Sequence, residues 1–167
     1  MANKVCLVIG AGDATGGAVA KRFAREGFAV CATRRTVEKI EPLIASIRSD
    51  GGVAYGFGSD ARDEDQVVSM IANIEDNIGP IEVLVFNVGA NSPCSILSET
   101  TRRYTKMWEM ACLAGFLNAR EVAKRMVTRL ADAPTQQTGT PHKGSIIFTG
   151  ATASLRGSAN FAGFSGG

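Results

Sequence analysis

No stretch of this chain is apolar for long enough to cross a bilayer: its longest strand-like runs, "EVLVF" and "SIIF", are a few residues long where about 20 are needed. The N-terminus also lacks an apolar segment followed by a cleavage site, so no signal peptide is read there and the cytoplasm is the expected compartment. An excess of one charge is missing too. Eighteen Lys and Arg against sixteen Asp and Glu leave +2, without the basic stripe with which a nucleic-acid binder displaces counterions. Neither nucleic acid nor membrane is expected as a partner. Histidine occurs once, His142, in the polar turn-forming run "DAPTQQTGTPHKG" over 132–144, and reads as a solvated loop residue rather than a catalytic base. Cys6, Cys31, Cys94 and Cys112 form no CxxC pair. They are expected as free thiols, with Cys6 and Cys31 acting as small buried hydrophobes inside apolar runs.

What is present is an alternation of strand and helix patterns along 167 residues that are 45% hydrophobic and 20% charged, the composition of one globular domain over 1–167. "KVCLVI" (4–9), "AVCAT" (29–33), "VAYGF" (53–57), "EVLVF" (82–86) and "SIIFT" (145–149) read as buried strands. Between them Ile40, Leu43, Ile44 and Ile47, and then Val67, Met70, Ile71, Ile74 and Ile78, recur at helical spacing. Asp63 followed by Gln66 is a capping-box start, and Gly79–Pro80 closes that helix. Pro42 marks a distorted first turn of the second helix. A long fourth helix is expected from Glu99 to Ala131, with Trp108, Cys112, Phe116, Val122, Met126, Val127 and Leu130 along one side. Strands buried on both faces and separated by helices imply an α/β fold, a doubly wound parallel sheet in three layers, α/β/α.

The turn "VIGAGDATGG" (8–17) follows the first strand and opens the first helix. Glycines there let main-chain N–H groups and the helix N-terminus face a pyrophosphate, with Gly10, Gly12 and Gly16 as candidates; without GK[ST] it is not a P-loop. At the end of the second strand an acid would accept hydrogen bonds from a ribose 2′-OH, while arginine accommodates a 2′-phosphate. The run here is Thr33, Arg34, Arg35, which favours NADP over NAD, with Arg34 the main contact and Arg35 beside it. Asp13 opposes this by repelling a 2′-phosphate placed next to it. A Rossmann domain binding S-adenosylmethionine through the same turn stays open, disfavoured by the missing acid.

On these residues the chain resembles the short-chain dehydrogenase/reductase family. "VIGAGDATGGAVA" aligns on that family's TGxxxGxG start, with Gly10 and Gly16 as its first and last glycines, Ile9 for its threonine and Ala14 for its middle glycine. The Ala14 replacement would cost about 1 kcal/mol if that position needs positive φ. "SDARD" (59–63) resembles the adenine-contacting segment, and "FNVG" (86–89) the NNAG signature. The implied dinucleotide contacts are Gly10, Gly12, Asp13, Thr15, Gly16, Arg34, Arg35, Asp60, Ala61, Asn87, Val88 and Gly89. The implied activity is hydride transfer to or from a small carbonyl or alcohol, and the implied assembly is a homo-oligomer through the fourth helix.

The family's catalytic Asn, Ser, Tyr and Lys fall elsewhere in chemistry. Counting from Gly115, the asparagine position holds Cys112; the serine position after the fifth strand holds Ala151; the tyrosine position thirteen residues on holds Phe164; the lysine position lies past residue 167. Alanine cannot donate to a carbonyl and phenylalanine has no proton to give. Thr152 is the best substitute carbonyl donor, and Cys112 is expected to be packed and inert on the apolar side of its helix. "NFAGFSGG" (160–167) reads as the first turn of a further helix. The fold is expected to be truncated after the fifth strand, a fragment of a longer protein whose apolar sheet edge and fourth-helix face lack their cover. A non-catalytic dinucleotide-binding pseudoenzyme acting through association is the competing expectation.

Overall fold

The computed structural model describes residues 4–89, 91–131 and 144–167. Strands β1 (Val5–Ile9), β2 (Ala29–Arg34), β3 (Ala54–Gly58), β4 (Ile81–Phe86) and β5 (Ser145–Phe148) alternate with helices α1 (Thr15–Arg25), α2 (Glu41–Ser49), α3 (Glu64–Asn77), α4 (Thr101–Trp108) and α5 (Ala114–Ala131), followed by the short α6 (Thr152–Arg156) and α7 (Ala162–Gly166). All four strand pairings are parallel, in the order β3-β2-β1-β4-β5. The fold is Rossmann-like, as the sequence predicts.

Alternation along β1 divides the core. Val5, Leu7 and Ile9 join Val67, Ile71 and Ile74 of α3 and Val122 and Met126 of α5 on one face. Cys6 and Val8 join Ala20 of α1 and Ile44 and Ile47 of α2 on the other. With β1 buried on both sides, every residue of it is apolar, which is why the strand reads as a continuous run. The expected capping is present: the Asp63 carboxylate accepts from Gln66 N–H at 3.1 Å. The return arm differs, because Gln66 Oε1 accepts from Asp60 N–H at 2.9 Å instead of from Asp63. Pro42 sits in the first turn of α2, preceded by a 3₁₀ turn over Val37–Lys39.

Two expectations about the long fourth helix are corrected. It is interrupted by a π turn, Glu109–Leu113, between α4 and α5, and its apolar residues do not share one side. Val122 and Met126 are buried with Ala114, Leu117, Asn118 and Glu121, whereas Trp108, Cys112, Phe116, Val127 and Leu130 are exposed. Phe116 and Val122 are six residues apart, about 120° around an α-helix, so they belong to separate faces. Phe148 at the end of β5 is also exposed. It lies 5.9 Å from Phe86, ring centre to ring centre, and Ile147 beside it in β5 is exposed as well. Position 142 and the segment 132–143 lie outside the described residues, and with them the expectation for His142. Among the described residues no helix is long and apolar enough to cross a membrane.

Candidate dinucleotide site

The strand order reverses at β1, and the turns leaving β1 and β4 diverge there, which is where open parallel sheets form a crevice. The first turn is held by the sheet itself: Gly10 and Ala11 N–H both donate to Thr33 C=O, at 3.1 and 3.0 Å, and Asn87 N–H donates to Ile9 C=O at 2.9 Å. Asn87 Nδ2 adds a bond to Gly10 C=O at 3.2 Å. Gly10 has φ +81°, and a Cβ on it would sit 2.7 Å from the Asn87 oxygen. Glycine is therefore required there on both counts.

Gly16 answers a different need. A Cβ there would lie 2.4 Å from Gly10 C=O, so its absence lets α1 start directly against the turn. Gly12 is the converse case, with open space where its Cβ would be and its backbone on the wall of the cleft. Ala14, at φ −102°, is not in the left-handed region, so the penalty expected for it there does not arise. It is also the N-cap of α1 and offers no side-chain hydrogen bond. The first-turn N–H groups of α1 are thus left for an outside acceptor, where the helix dipole favours an anion.

A cleft of about 270 Å³ opens over this turn. Of the residues expected to hold a dinucleotide it gathers Gly10, Gly12, Arg34, Arg35, Asp60, Ala61, Asn87, Val88 and Gly89. Gly16 shapes the turn from beneath; Asp13, Thr15 and Gly16 do not line the cleft. Four further side chains on the wall lie outside the expected contacts. Thr33 is buried at the end of β2. Ser59 is buried with its Oγ unpartnered. Arg62 and Met110, the latter from the π turn, complete the set. "SDARD" pointed to Ser59 and Arg62 by position; nothing local points to Met110. Asn118, buried in α5, donates to Ala61 C=O at 3.1 Å and so ties the β3–α3 loop to the helix behind it.

Asp60 lines the cleft with its carboxylate already engaged. Arg62 Nε donates to Oδ1 at 3.0 Å and Nη2 to Oδ2 at 2.6 Å. These side-chain hydrogen bonds hold the Asp60 carboxyl below the usual carboxylate range, against the opposing effect of its partial burial. A lowered folded-state value stabilises the fold above the unfolded value, near 3.9, and that contribution is lost as pH falls through the folded value. Asp60→Asn is therefore expected to flatten the acid limb of the stability profile below about pH 4, measured by melting temperature against pH; an unchanged limb would show that the pair has no such role. Arg34 reaches Asp13: Nη1 lies 3.7 Å from Oδ1 and donates to Lys39 C=O at 3.3 Å.

The residues that the resemblance sets at the family's catalytic positions, Cys112, Ala151 and Phe164, do not line this cleft. Cys112 is exposed in the π turn, which corrects the expectation of a packed thiol: it lies four residues from both Trp108 and Phe116, which are exposed too. Ala151 precedes α6 as its N-cap, Thr152 begins α6 and is exposed, and Phe164 is half-buried in α7 beside Phe161. The start of a helix expected at 160–167 is thus present as α7. Cys6 and Cys31 are buried, and desolvation pushes both thiols up to about 12, with Cys6 adding to the effect on Cys31. They are inert hydrophobes, as expected.

Three solved structures place this geometry among known proteins. A short-chain dehydrogenase from Rhodopseudomonas palustris is 46% identical, with TM-score 0.85 over 99% of this chain and 72% of its own. An actinorhodin polyketide ketoreductase with NADPH is 25% identical, TM-score 0.86, over 99% and 61%. An NAD⁺-bound xylitol dehydrogenase is 25% identical, TM-score 0.87, over 99% and 59%. The chain spans about half the length of the curated relatives it matches. The family model described as "short chain dehydrogenase" matches residues 4–167. Fold, glycine turn and both comparisons agree, and the chain belongs to the short-chain dehydrogenase family of oxidoreductases.

Proposed function

We propose that the cleft binds a nicotinamide dinucleotide, NADP(H) in preference to NAD(H). The observation that carries this reading is the uncapped N-terminus of α1 above a turn whose glycines leave a backbone-lined hollow. N–H groups of that turn and of the first turn of α1 hold the pyrophosphate, Asp60 and Ala61 lie by the adenine, and Arg34 and Arg35 face the 2′ position. Asn87, Val88 and Gly89 form the opposite wall. The unpartnered Ser59 Oγ is a further polar contact seeking a partner. When bound, the reduced nicotinamide would give a hydride to a carbonyl, or the oxidised one would take a hydride from an alcohol. The chain's own part is to position it. Cys112, Ala151 and Phe164 offer no general acid of the family's kind, so proton delivery is weak.

Arg34→Ala is expected to raise the Kd for NADPH about tenfold or more, the loss of a charge-assisted contact, and that for NADH by less than about threefold. Titration by coenzyme fluorescence reads both. Equal losses would make Arg34 a surface residue only.

The exposed stripe of Trp108, Phe116, Val127 and Leu130 favours a second reading, a non-catalytic dinucleotide binder that acts by associating with a second copy through α4 and α5. Binding of NADPH without its oxidation by a panel of small carbonyls, in a dimer, would select that reading; oxidation would select the enzyme.

A further inference from the structure

A second cavity, of about 340 Å³, adjoins the dinucleotide cleft, and Met110 of the π turn belongs to the walls of both. Three cations from one helix line it, Arg102, Arg103 and Lys106 of α4, and among the described residues no acid does. Their charges are not equally free. Arg103 is answered by Glu99, whose Oε1 lies 3.5 Å from its Nε and whose side chain is 4% exposed. Arg102 and Lys106 have no ion pair and no side-chain hydrogen bond among the described residues. They stand four residues apart on one face of α4, a spacing at which like charges repel. The flanking acids do not relieve them: Glu99 is held by Arg103, and Glu109 lines a separate recess with Asp60, Arg62 and Asp63. The rest of the cavity is of another kind. Met107 is buried and Met110 half-buried, and unbranched thioether side chains adapt their shape to an apolar body. The hydroxyls of Ser92 and Thr100 line it too. As N-cap of α4 the Thr100 hydroxyl accepts from Arg103 N–H at 3.3 Å, which leaves its own proton to donate.

From this arrangement we infer that the α4 cavity binds a small organic anion, a carboxylate or phosphate ester on a short apolar chain. The head group sits on Arg102 and Lys106 and the chain on Met107 and Met110. Arginine offers paired N–H donors to two oxygens of either head group, and lysine adds a point charge. Exposed cations alone hold an anion weakly. The methionines make up the difference, since each methylene taken out of water raises affinity about fourfold. Charge without chain, or chain without charge, uses half of the cavity. The inference does not depend on what the neighbouring cleft holds.

Spectra of the full chain carrying ¹³C-methyl methionine read the site directly, because Met107 and Met110 are two of five methionines and Met→Leu variants assign their signals. Hexanoate and hexyl phosphate are titrated separately, with acetate and inorganic phosphate as controls without the chain and hexanol as the control without the charge. The expected result is a saturable shift of the Met107 and Met110 methyls while those of Met70 and Met126 stay still. At least one chain-borne anion should bind at least about tenfold more tightly than its chainless control and than hexanol. The tighter of the two identifies the head group. Arg102→Gln combined with Lys106→Gln, both at exposed positions, should raise its Kd about tenfold or more with the Met70 and Met126 signals and the affinity for NADPH unchanged. Equal binding of hexanol, an unchanged Kd in the double variant, equal movement of Met70 or Met126, or no saturable shift up to about 10 mM would overturn the site. Failure of NADPH to bind the parent would overturn the dinucleotide reading and leave this inference standing.

Discussion

Gly16→Val lowers the stability of the chain by about 3 kcal/mol, which for a domain of this size is a fall in melting temperature of roughly 6–12 °C. The cause is a collision with main chain, which has no rotamer to escape into. A Cβ on Gly16 meets Gly10 C=O at 2.4 Å, Ala11 Cα at 2.9 Å and Asn87 Nδ2 at 2.9 Å. Relief requires α1 to move away from β1, yet Gly10 and Ala11 are tied to β2 through Thr33 C=O and Gly10 is tied to β4 through Asn87. Gly12→Ala is the control. Its methyl enters open space in the cleft wall, so the melting temperature should stay within about 2 °C while dinucleotide affinity drops about tenfold by steric exclusion. Circular dichroism melts and coenzyme titration separate the two glycines. If Gly16→Val melts with the parent, the close approach of helix and turn is not what holds this end of the sheet.

The second large effect is on turnover. Saturated with NADPH, the chain is expected to reduce small carbonyls at least about a hundredfold more slowly than the ordinary enzymatic rate near 10 s⁻¹, since loss of a general acid alone costs about 10² to 10⁴. The expectation rests on the three residues that the resemblance sets at the family's catalytic positions. Phe164 has an apolar ring packed beside Phe161, Ala151 has no hydroxyl, and Cys112 faces out from the π turn. Residues that act as a unit are not restored one at a time. Phe164→Tyr alone is therefore expected to leave the rate within about threefold of the parent. A parent rate near 10 s⁻¹ would contradict this, and Thr152→Val would then show whether that hydroxyl is the donor responsible.

The strands and the sheet were legible because buried parallel strands must be apolar throughout: β1 and β4 carry the signal in nearly every residue. Their borders move by a residue where the edge is wet, as at β3, which starts at Ala54 after an exposed Val53. The glycine turn was legible since steric need for glycine is local, and Gly10 and Gly16 each show their own reason for it. The helix after β4 was misread for the opposite cause. Its buried face includes Asn118 and Glu121, which are acceptable there because Asn118 donates to Ala61 and Ala114 carbonyls and Glu121 lies near Lys124 and Arg125. Such polar residues blur the apolar period, while exposed Phe116 and Val127 imitate it. The π turn left no signature in the residues themselves, and Met110, which lines the cleft, belongs to it. The Asp13–Arg34 pair joins residues 21 positions apart in sequence; each was legible as a charge near the 2′ position, but their pairing is a product of the fold.

The most direct test of the account is a crystal structure of the chain grown with excess NADPH. The account predicts the diphosphate over the Gly10–Gly16 turn, receiving N–H groups from the first turn of α1, with the adenosine 2′-phosphate beside Arg34. An empty turn in crystals whose solution binds NADPH, or a coenzyme seated anywhere else, would contradict it.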